Sequence, residues 1–410
     1  MIKCLYIGVF KDGTGWGNAA QNYILALDKV GIDVVPRSVK LSQTSDDIVP
    51  HIPKRILELE ENDESGCDVC IQHILPDLLE YDGRFDLNIG MYAYETTNFH
   101  QTCWANHLNM MDQVWVFNHS MIDSAINSYV TTPIAVVPHC FDMSRYSQRY
   151  EPYPIPATQG KFVFYTMGEI TRRKNLAGLL KAFHLEFSPE EPVCLLIKGH
   201  VMGMSPSDSS QHIKGIIEEV KKGMRIYPDA TDYHNEILIN QWLNDEEVMR
   251  LHQTGDCFVL PSYGEAWGIP GFEAMALGKA VILTDEGGPA DYVGESESGL
   301  LVPFHYEPVF IRPEEVRAPD IWTSGEKWHA VDIEALRADM RRVYADKELR
   351  DDLGSNGIDR AYEFSFDKVG ATMKDLLEGI TEPVAYPQSI LRKRHHDMAE
   401  MLENATVQGR

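Results

Sequence analysis

Basic side chains are scarce in this chain. Its 410 residues carry 37 Lys and Arg against 62 Asp and Glu, a formal net charge of −25. Such a surface repels a phosphate backbone at long range, which argues against a nucleic-acid partner or an anionic membrane face. Long apolar runs are missing as well. None approaches the ~20 residues of a membrane span, and no cationic segment followed by an apolar one opens the chain as a secretory signal would. Cysteine is sparse and irregular. Seven are present, an odd number without regular spacing, so reduced thiols are expected rather than a disulfide framework. Cys67 and Cys70 form a C-x-x-C with His73 nearby, but no second pair completes a zinc site. Internal repeats and low-complexity tracts are absent. Together these absences predict a cytoplasmic protein without a transmembrane segment.

What is present is a globular composition, 44% hydrophobic and 24% charged, on a chain long enough for two domains. Short apolar runs at 3–9, 32–35, 68–73, 87–94, 113–117 and 134–139 alternate with helical patterns. Alternation of this kind predicts an α/β fold with a doubly wound parallel sheet. Pro152, Pro154, Pro156 and Gly160 then mark a linker. The same alternation restarts with runs at 162–167, 193–199, 237–239, 257–260, 280–283 and 300–302. The expected domains are 1–155 and 160–380. Ser120 is expected to cap a helix reaching Ser128, residues 205–212 to form a serine-rich loop, and 304–330 an irregular insertion. The first loop, Asp12 to Asn18, spaces its glycines G-x-G-x-G rather than G-x-G-x-x-G, and the second strand ends Pro36-Arg37 without a ribose-binding acid. A dinucleotide-binding dehydrogenase is therefore the weaker reading.

The chain is organised around Pro261–Gly278, PSYGEAWGIPGFEAMALG. A strand enters it, glycines and Pro270 sit at a helix start, and Glu265 and Glu273 flank that start. The first amides of a helix lack internal partners and lie at the positive end of its dipole, so they suit a phosphate. Carboxylates suit hydroxyl-rich groups instead. A second loop, Gly168 to Asn175, carries Arg172, Arg173 and Lys174 just before a helix that Asn175 would cap. Three cations there make a strong anion site. The combination suggests a sugar nucleotide. The plainer alternative is an ordinary strand-to-helix turn with solvated charges. Lone His73, His119 and His139 read as structural.

Glu265, seven residues and Glu273, with the surrounding EAWGIPGFEAMALGKAVILTDEGGPADYV, resemble the E-x7-E signature of retaining glycosyltransferases of family 4. The resemblance implies a GT-B fold: two Rossmann-like domains with parallel sheets facing a central cleft. It makes 1–155 the acceptor-binding domain and 160–380 the nucleotide-sugar-binding domain, with a C-terminal helix at about 385–410 packing back on the first. It implies Glu265, Lys174 and Arg173 as catalytic residues. Donor contacts would come from Glu273 at the ribose, Arg172, Gly268 and Ile269 at the diphosphate, and Gly15 and Gly17 from the first loop. Glu95 stands where many relatives carry a histidine, and it is a candidate with Trp16 for holding acceptor or sugar; a salt bridge and a core aromatic are the structural alternatives. No Asp-x-Asp occurs in the chain, so the metal-dependent GT-A type is not expected. The reading needs no metal and no cofactor, with a UDP- or GDP-linked sugar as substrate. Acceptor candidates are a glycan, lipid, protein or modified base. Phosphorylase-like or epimerase-like chemistry, and a non-catalytic sugar-nucleotide-binding or partner subunit, remain as alternatives.

Overall fold

In the computed structural model, residues 2–40, 51–310, 322 and 325–386 are described. The apolar runs of the first half become β1 (Lys3–Gly8), β2 (Asp33–Ser38), β3 (Val69–His73), β4 (Leu87–Met91), β5 (Gln113–Val116) and β6 (Ile134–Val136). These strands are parallel and ordered β2-β1-β3-β4-β5-β6. All five residues of β3 are buried, because helices cover both faces of a parallel sheet; hence the unbroken apolar runs. The second half supplies β7 (Phe162–Glu169), β8 (Val193–His200), β9 (Ile237–Ile239), β10 (Cys257–Leu260), β11 (Ala280–Thr284) and β12 (Leu300–Val302). These are parallel in the order β12-β11-β10-β7-β8-β9.

Each sheet reverses its direction of growth once, between β1 and β3 and between β7 and β10. At such a reversal the connections leave to opposite sides and open a crevice at the carboxyl ends of the strands, where open α/β sheets hold ligands. The cation loop follows β7 and the glycine-rich stretch follows β10. Both therefore border one crevice.

Two crossings join the halves. In the linker, Tyr153 N donates to Arg250 O at 3.0 Å, and Thr254 Oγ1 donates to Tyr153 O at 2.9 Å. The return crossing comes earlier than the expected boundary at 380. The helix Phe366–Leu377 already lies on the helix Gly15–Lys29 of the first half. Gly370 allows that approach, since a Cβ there would stand 2.8 Å from Ala26 O. Val384 then bridges Ile134. Of the C-terminal helix expected at 385–410, residues 387–410 lie outside the described residues. Between the halves, Phe141 stacks on Phe272 at 4.0 Å, beside Trp267 and Phe364. Burying one such side chain stabilises by about 1.5–3 kcal/mol.

Three local expectations change. The cap of the helix His119–Asn127 is Asn118, whose Oδ1 accepts from Met121 N at 2.9 Å; Ser120 lies inside the helix. Residues 206–224 form a helix, Pro206–Met224, not a loop. Ser205 caps it, Pro206 needs no partner for a missing N–H, and Asp208 faces the positive end. The 304–330 insertion is bounded by an antiparallel pair, β13 (Phe304–Pro308) and β14 (Lys327–Val331).

Candidate functional site

The two loops at the β7/β10 reversal are tied together by backbone. Asn175 adopts φ +52°, its Oδ1 caps the helix Leu176–Glu186 by accepting from Gly178 N at 3.0 Å, and its Nδ2 donates to Pro261 O at 2.9 Å. Tyr263 N donates to Arg173 O at 2.7 Å. With the loops fixed, Lys174 Nζ lies 2.6 Å and Arg173 Nη1 3.2 Å from Glu265 Oε1. Arg173 Nη1 also donates to Gly264 O at 2.5 Å. Burial would raise the Glu265 carboxyl, but Lys174 and Arg173 outweigh it and hold it below the usual carboxylate value. Arg172 departs from the expected trio. It is exposed, and its guanidinium stands 4.8 Å over the Phe310 ring.

Across the cleft, Glu95 Oε1 lies 3.5 Å from Arg173 Nη2. Burial raises the Glu95 carboxyl, Arg173 opposes the rise and Glu265 adds to it. Gly264 permits this approach, since a Cβ there would sit 2.1 Å from Glu95 O. Gly268 takes φ +78° at the start of the helix Ile269–Ala276, a conformation open to glycine. Gly15 faces that helix start: a Cβ on it would lie 3.6 Å from Ile269 Cδ1. Gly17 has a local reason instead, because its Cβ space is filled by Asp12 O at 1.9 Å.

Glu273 occupies a separate recess. Its oxygens lie 3.4 Å from Tyr146 Oη, 3.7 Å from Arg145 Nη2 and 3.7 Å from His252 Nε2. Burial opposes its charge, yet nearby His252 and Arg145 keep it below the usual value. Sequence reading missed all three partners. They come from the segment after β6 and from the helix Asp245–Thr254, and no local pattern marks them.

A second missed group borders the same cleft. Glu286 stands at the N-cap of the helix Gly287–Val293, where Gly287 N donates to Ser120 Oγ and Gly288 N to Glu265 O. Burial pushes Glu286 up to about 7; Asp123, Asp285 and Asp291 add to the rise and Ser120 opposes it. His329 Nε2 lies 3.3 Å away, while its Nδ1 donates to Tyr263 O. Burial holds that imidazole down at about 4, so Nε2 is an acceptor, and Glu286 can donate to it where its carboxyl is protonated, below about pH 7.

In the first half, Trp16 stacks on His73 at 5.3 Å and 24°. His73 Nδ1 pairs with Tyr6 Oη, and His139 Nδ1 with Tyr23 Oη. Burial lowers His73 to about 3 and His139 well below its usual value. His119 bonds Asp291 Oδ2 across the seam through its N and Nδ1. All three histidines have such structural partners. Further seam bonds run from Asn118 Nδ2 to Ala266 O (2.6 Å) and from Thr96 Oγ1 to the buried Glu326 (2.9 Å). Among the described residues, no three His, Cys, Asp or Glu side chains group to hold a metal, and no helix is long and apolar enough to cross a membrane.

Two doubly wound parallel sheets joined by two crossings, with a basic loop and a glycine-led helix start at the reversal of the second, define the GT-B fold of nucleotide-sugar glycosyltransferases. Residues 150–309 match the family described as "Glycosyl transferases group 1". Sucrose synthase from Solanum tuberosum is 27% identical over 158 residues, covering 36% of this chain and 18% of that protein. Alpha-maltose-1-phosphate synthase from Mycolicibacterium smegmatis is 30% identical over 34% of this chain and 32% of its own length. D-inositol 3-phosphate glycosyltransferase from an Arthrobacter species is 28% identical over 52% of this chain and 48% of its own. The matches thus span less than half of these relatives. Among solved structures, sucrose-phosphate synthase from Thermosynechococcus elongatus superposes with a TM-score of 0.61 at 18% identity, over 93% of this chain and 99% of that one. Anabaena HepE in complex with UDP and glucose gives 0.59 at 13% identity, over 92% and 100%. At these identities the likeness is one of fold.

Proposed function

We propose that this protein is a retaining, metal-independent glycosyltransferase of family 4 that moves a sugar from a nucleotide diphosphate to an acceptor hydroxyl. The observation that carries the reading is the convergence of Lys174 and Arg173 on Glu265 beside the glycine-led start of the helix Ile269–Ala276. The reaction is hard because charge separates: the leaving diphosphate gains negative charge while the anomeric carbon turns cationic. Cations fixed before the reaction stabilise the first, and this is commonly the largest catalytic effect. Lys174, Arg173 and the amides at Gly268-Ile269 take that part, and Arg172 joins by turning in from Phe310. Glu265 binds sugar hydroxyls and steadies the cationic carbon. Glu273 holds the ribose, with Arg145, Tyr146 and His252 orienting it. The bond from C1 to the diphosphate oxygen breaks, the acceptor oxygen bonds C1 on the same face, and its proton passes to the leaving oxygen. HepE structures holding UDP, glucose and UDP-glucose support UDP as the first nucleotide to try.

The experiment is donor hydrolysis and transfer with UDP- and GDP-sugars, the product anomer read by NMR. Hydrolysis with the donor's own anomer retained is expected, and Glu273→Ala should raise the donor KM. Inversion, or a wild-type donor KM in Glu273→Ala, would overturn the assignment.

A further inference from the structure

Arg173 is shared. Its guanidinium serves Gly264 O, Glu265 and, across the cleft, Glu95, while Lys174 serves Glu265. All four charged side chains are at least four-fifths buried. Two cations therefore face two carboxylates, and the pocket is electrically balanced before any ligand arrives. A sugar nucleotide brings a diphosphate with two further negative charges. Even with Arg172 turned in from Phe310, three cations would face four negative charges in a place where water screens poorly.

We propose that binding of the sugar nucleotide protonates Glu95, so that donor binding takes up about one proton and Glu95 meets the donor as a hydrogen-bonding acid rather than as an anion. The inference rests on the donor site proposed above. Glu95 is the carboxylate that yields because it is the more weakly held. Glu265 has Lys174 at 2.6 Å and Arg173 at 3.2 Å, whereas Glu95 has Arg173 at 3.5 Å. The groups facing Glu95 are divided: Glu265 favours its neutral form, and Arg173 and Lys174 oppose it. Arg173, Lys174 and Glu169 come from the β7 side, Glu265 from the helix-start loop, Glu326 from the β14 side through Thr96, and Tyr94 from its own strand end. Burial already favours its neutral form, and Arg173 is the chief brake. A diphosphate that draws Arg173 to itself removes that brake. Protonation then releases Nη2 of Arg173 for the phosphate and leaves an O–H on Glu95 to donate.

The sign follows from linkage. Proton uptake on binding means that affinity falls as pH rises, by up to tenfold per pH unit between the free and bound pKa values of Glu95. A site of lysine and arginine alone would be flat across neutral pH. The test is calorimetry of UDP-glucose and of a GDP-sugar binding to the full chain, from about pH 6 to 8, in buffers of differing ionisation enthalpy. Diphosphate diesters do not titrate there, so any proton comes to the protein. Wild type should take up about one proton, and Glu95→Gln should bind with near-zero uptake and pH-independent affinity. Infrared difference spectra of the wild type, which need no variant, should gain a protonated-carboxyl band on nucleotide addition. No uptake with tight binding, uptake unchanged in Glu95→Gln, or uptake lost instead in Glu286→Gln would each overturn the inference while leaving the donor site standing. Absence of any sugar-nucleotide binding would sink the donor site and this inference with it.

Discussion

Lys174→Ala separates the structural part of the basic loop from its chemical part. The ammonium lies 2.6 Å from Glu265 Oε1, with 19% of the lysine and 6% of the glutamate side chain exposed. Removing one partner of a buried pair costs about 3–5 kcal/mol, because the other charge is left uncompensated. Arg173 remains 3.2 Å from the same oxygen, so the lower end, ~3 kcal/mol, is expected. The pH dependence carries the diagnosis. In the wild type Glu265 is held below its ordinary value. Its stabilisation is then present above the ordinary carboxylate pKa and lost as pH falls through the lowered one. Without Lys174 burial dominates, and the folded-state value moves above the ordinary one. The slope reverses, and stability then falls as pH rises from mild acid toward neutral. Thermal melts across that range measure it. Lys174→Ala/Glu265→Gln should recover stability, since no orphan charge remains, yet leave kcat/KM down by roughly 30- to 1,000-fold, the equivalent of about 2–4 kcal/mol of lost transition-state binding. Melts of Lys174→Ala that track wild type at every pH, or a double variant that regains activity, would refute the reasoning.

Glu286→Gln should flatten a different slope. The folded value of about 7 means that Glu286 weakens the fold as pH rises from the ordinary carboxylate range through 7, so melts above neutral should improve; an unchanged pH profile would count against the His329 pairing. Gly264→Ala should cut transfer sharply, because its methyl would meet Glu95 O at 2.1 Å and hold the halves apart; small-angle scattering of a more open particle would check the cause. Asn175→Ala should lose about 1–2 kcal/mol of capping and a further ~1–2 from the left-handed backbone, whereas Asn175→Gly should lose the cap alone; equal melts of the two would show that φ +52° carries no strain.

The twelve sheet strands were legible because parallel strands covered on both faces cannot hide their apolar runs. The cation loop and the E-x7-E stretch were legible because each is one continuous piece of chain. Arg173 and Lys174 stood out in an acidic sequence. What stayed dark is what only tertiary structure assembles. Glu273 gains its partners from residues 145, 146 and 252, and no spacing links them. Nothing local marks Glu286, whose carboxyl is raised to about 7 by burial, with Asp285 and Asp291 adding to the rise. The helix Pro206–Met224 is hidden in the sequence because its serines suit a loop equally well, although Ser-Pro-Ser-Asp is also a cap followed by a first turn.

The same distinction explains the glycines. Gly264 and Gly287 each have their Cβ position filled by a backbone oxygen about two ångströms away, of Glu95 and of Glu265 respectively. Gly287 also takes φ +63°, which by itself favours glycine, whereas no such backbone demand applies to Gly264. Gly264 lies where Glu95 of the first half presses on the second across the cleft, so it serves closure; the contact of Gly287 with Glu265 lies within the second half and ties the start of the helix Gly287–Val293 to the Glu265 loop. A closed cleft would ordinarily suffer from a bare cationic pocket at its centre. Here Glu95 and Glu265 neutralise Arg173 and Lys174, and the halves meet without repulsion before the donor arrives. The donor's diphosphate must then compete with two carboxylates for the same cations. Of the two, Glu265 holds the sugar under the function proposed above and is also the more tightly paired, which leaves Glu95 as the one whose charge can be given up.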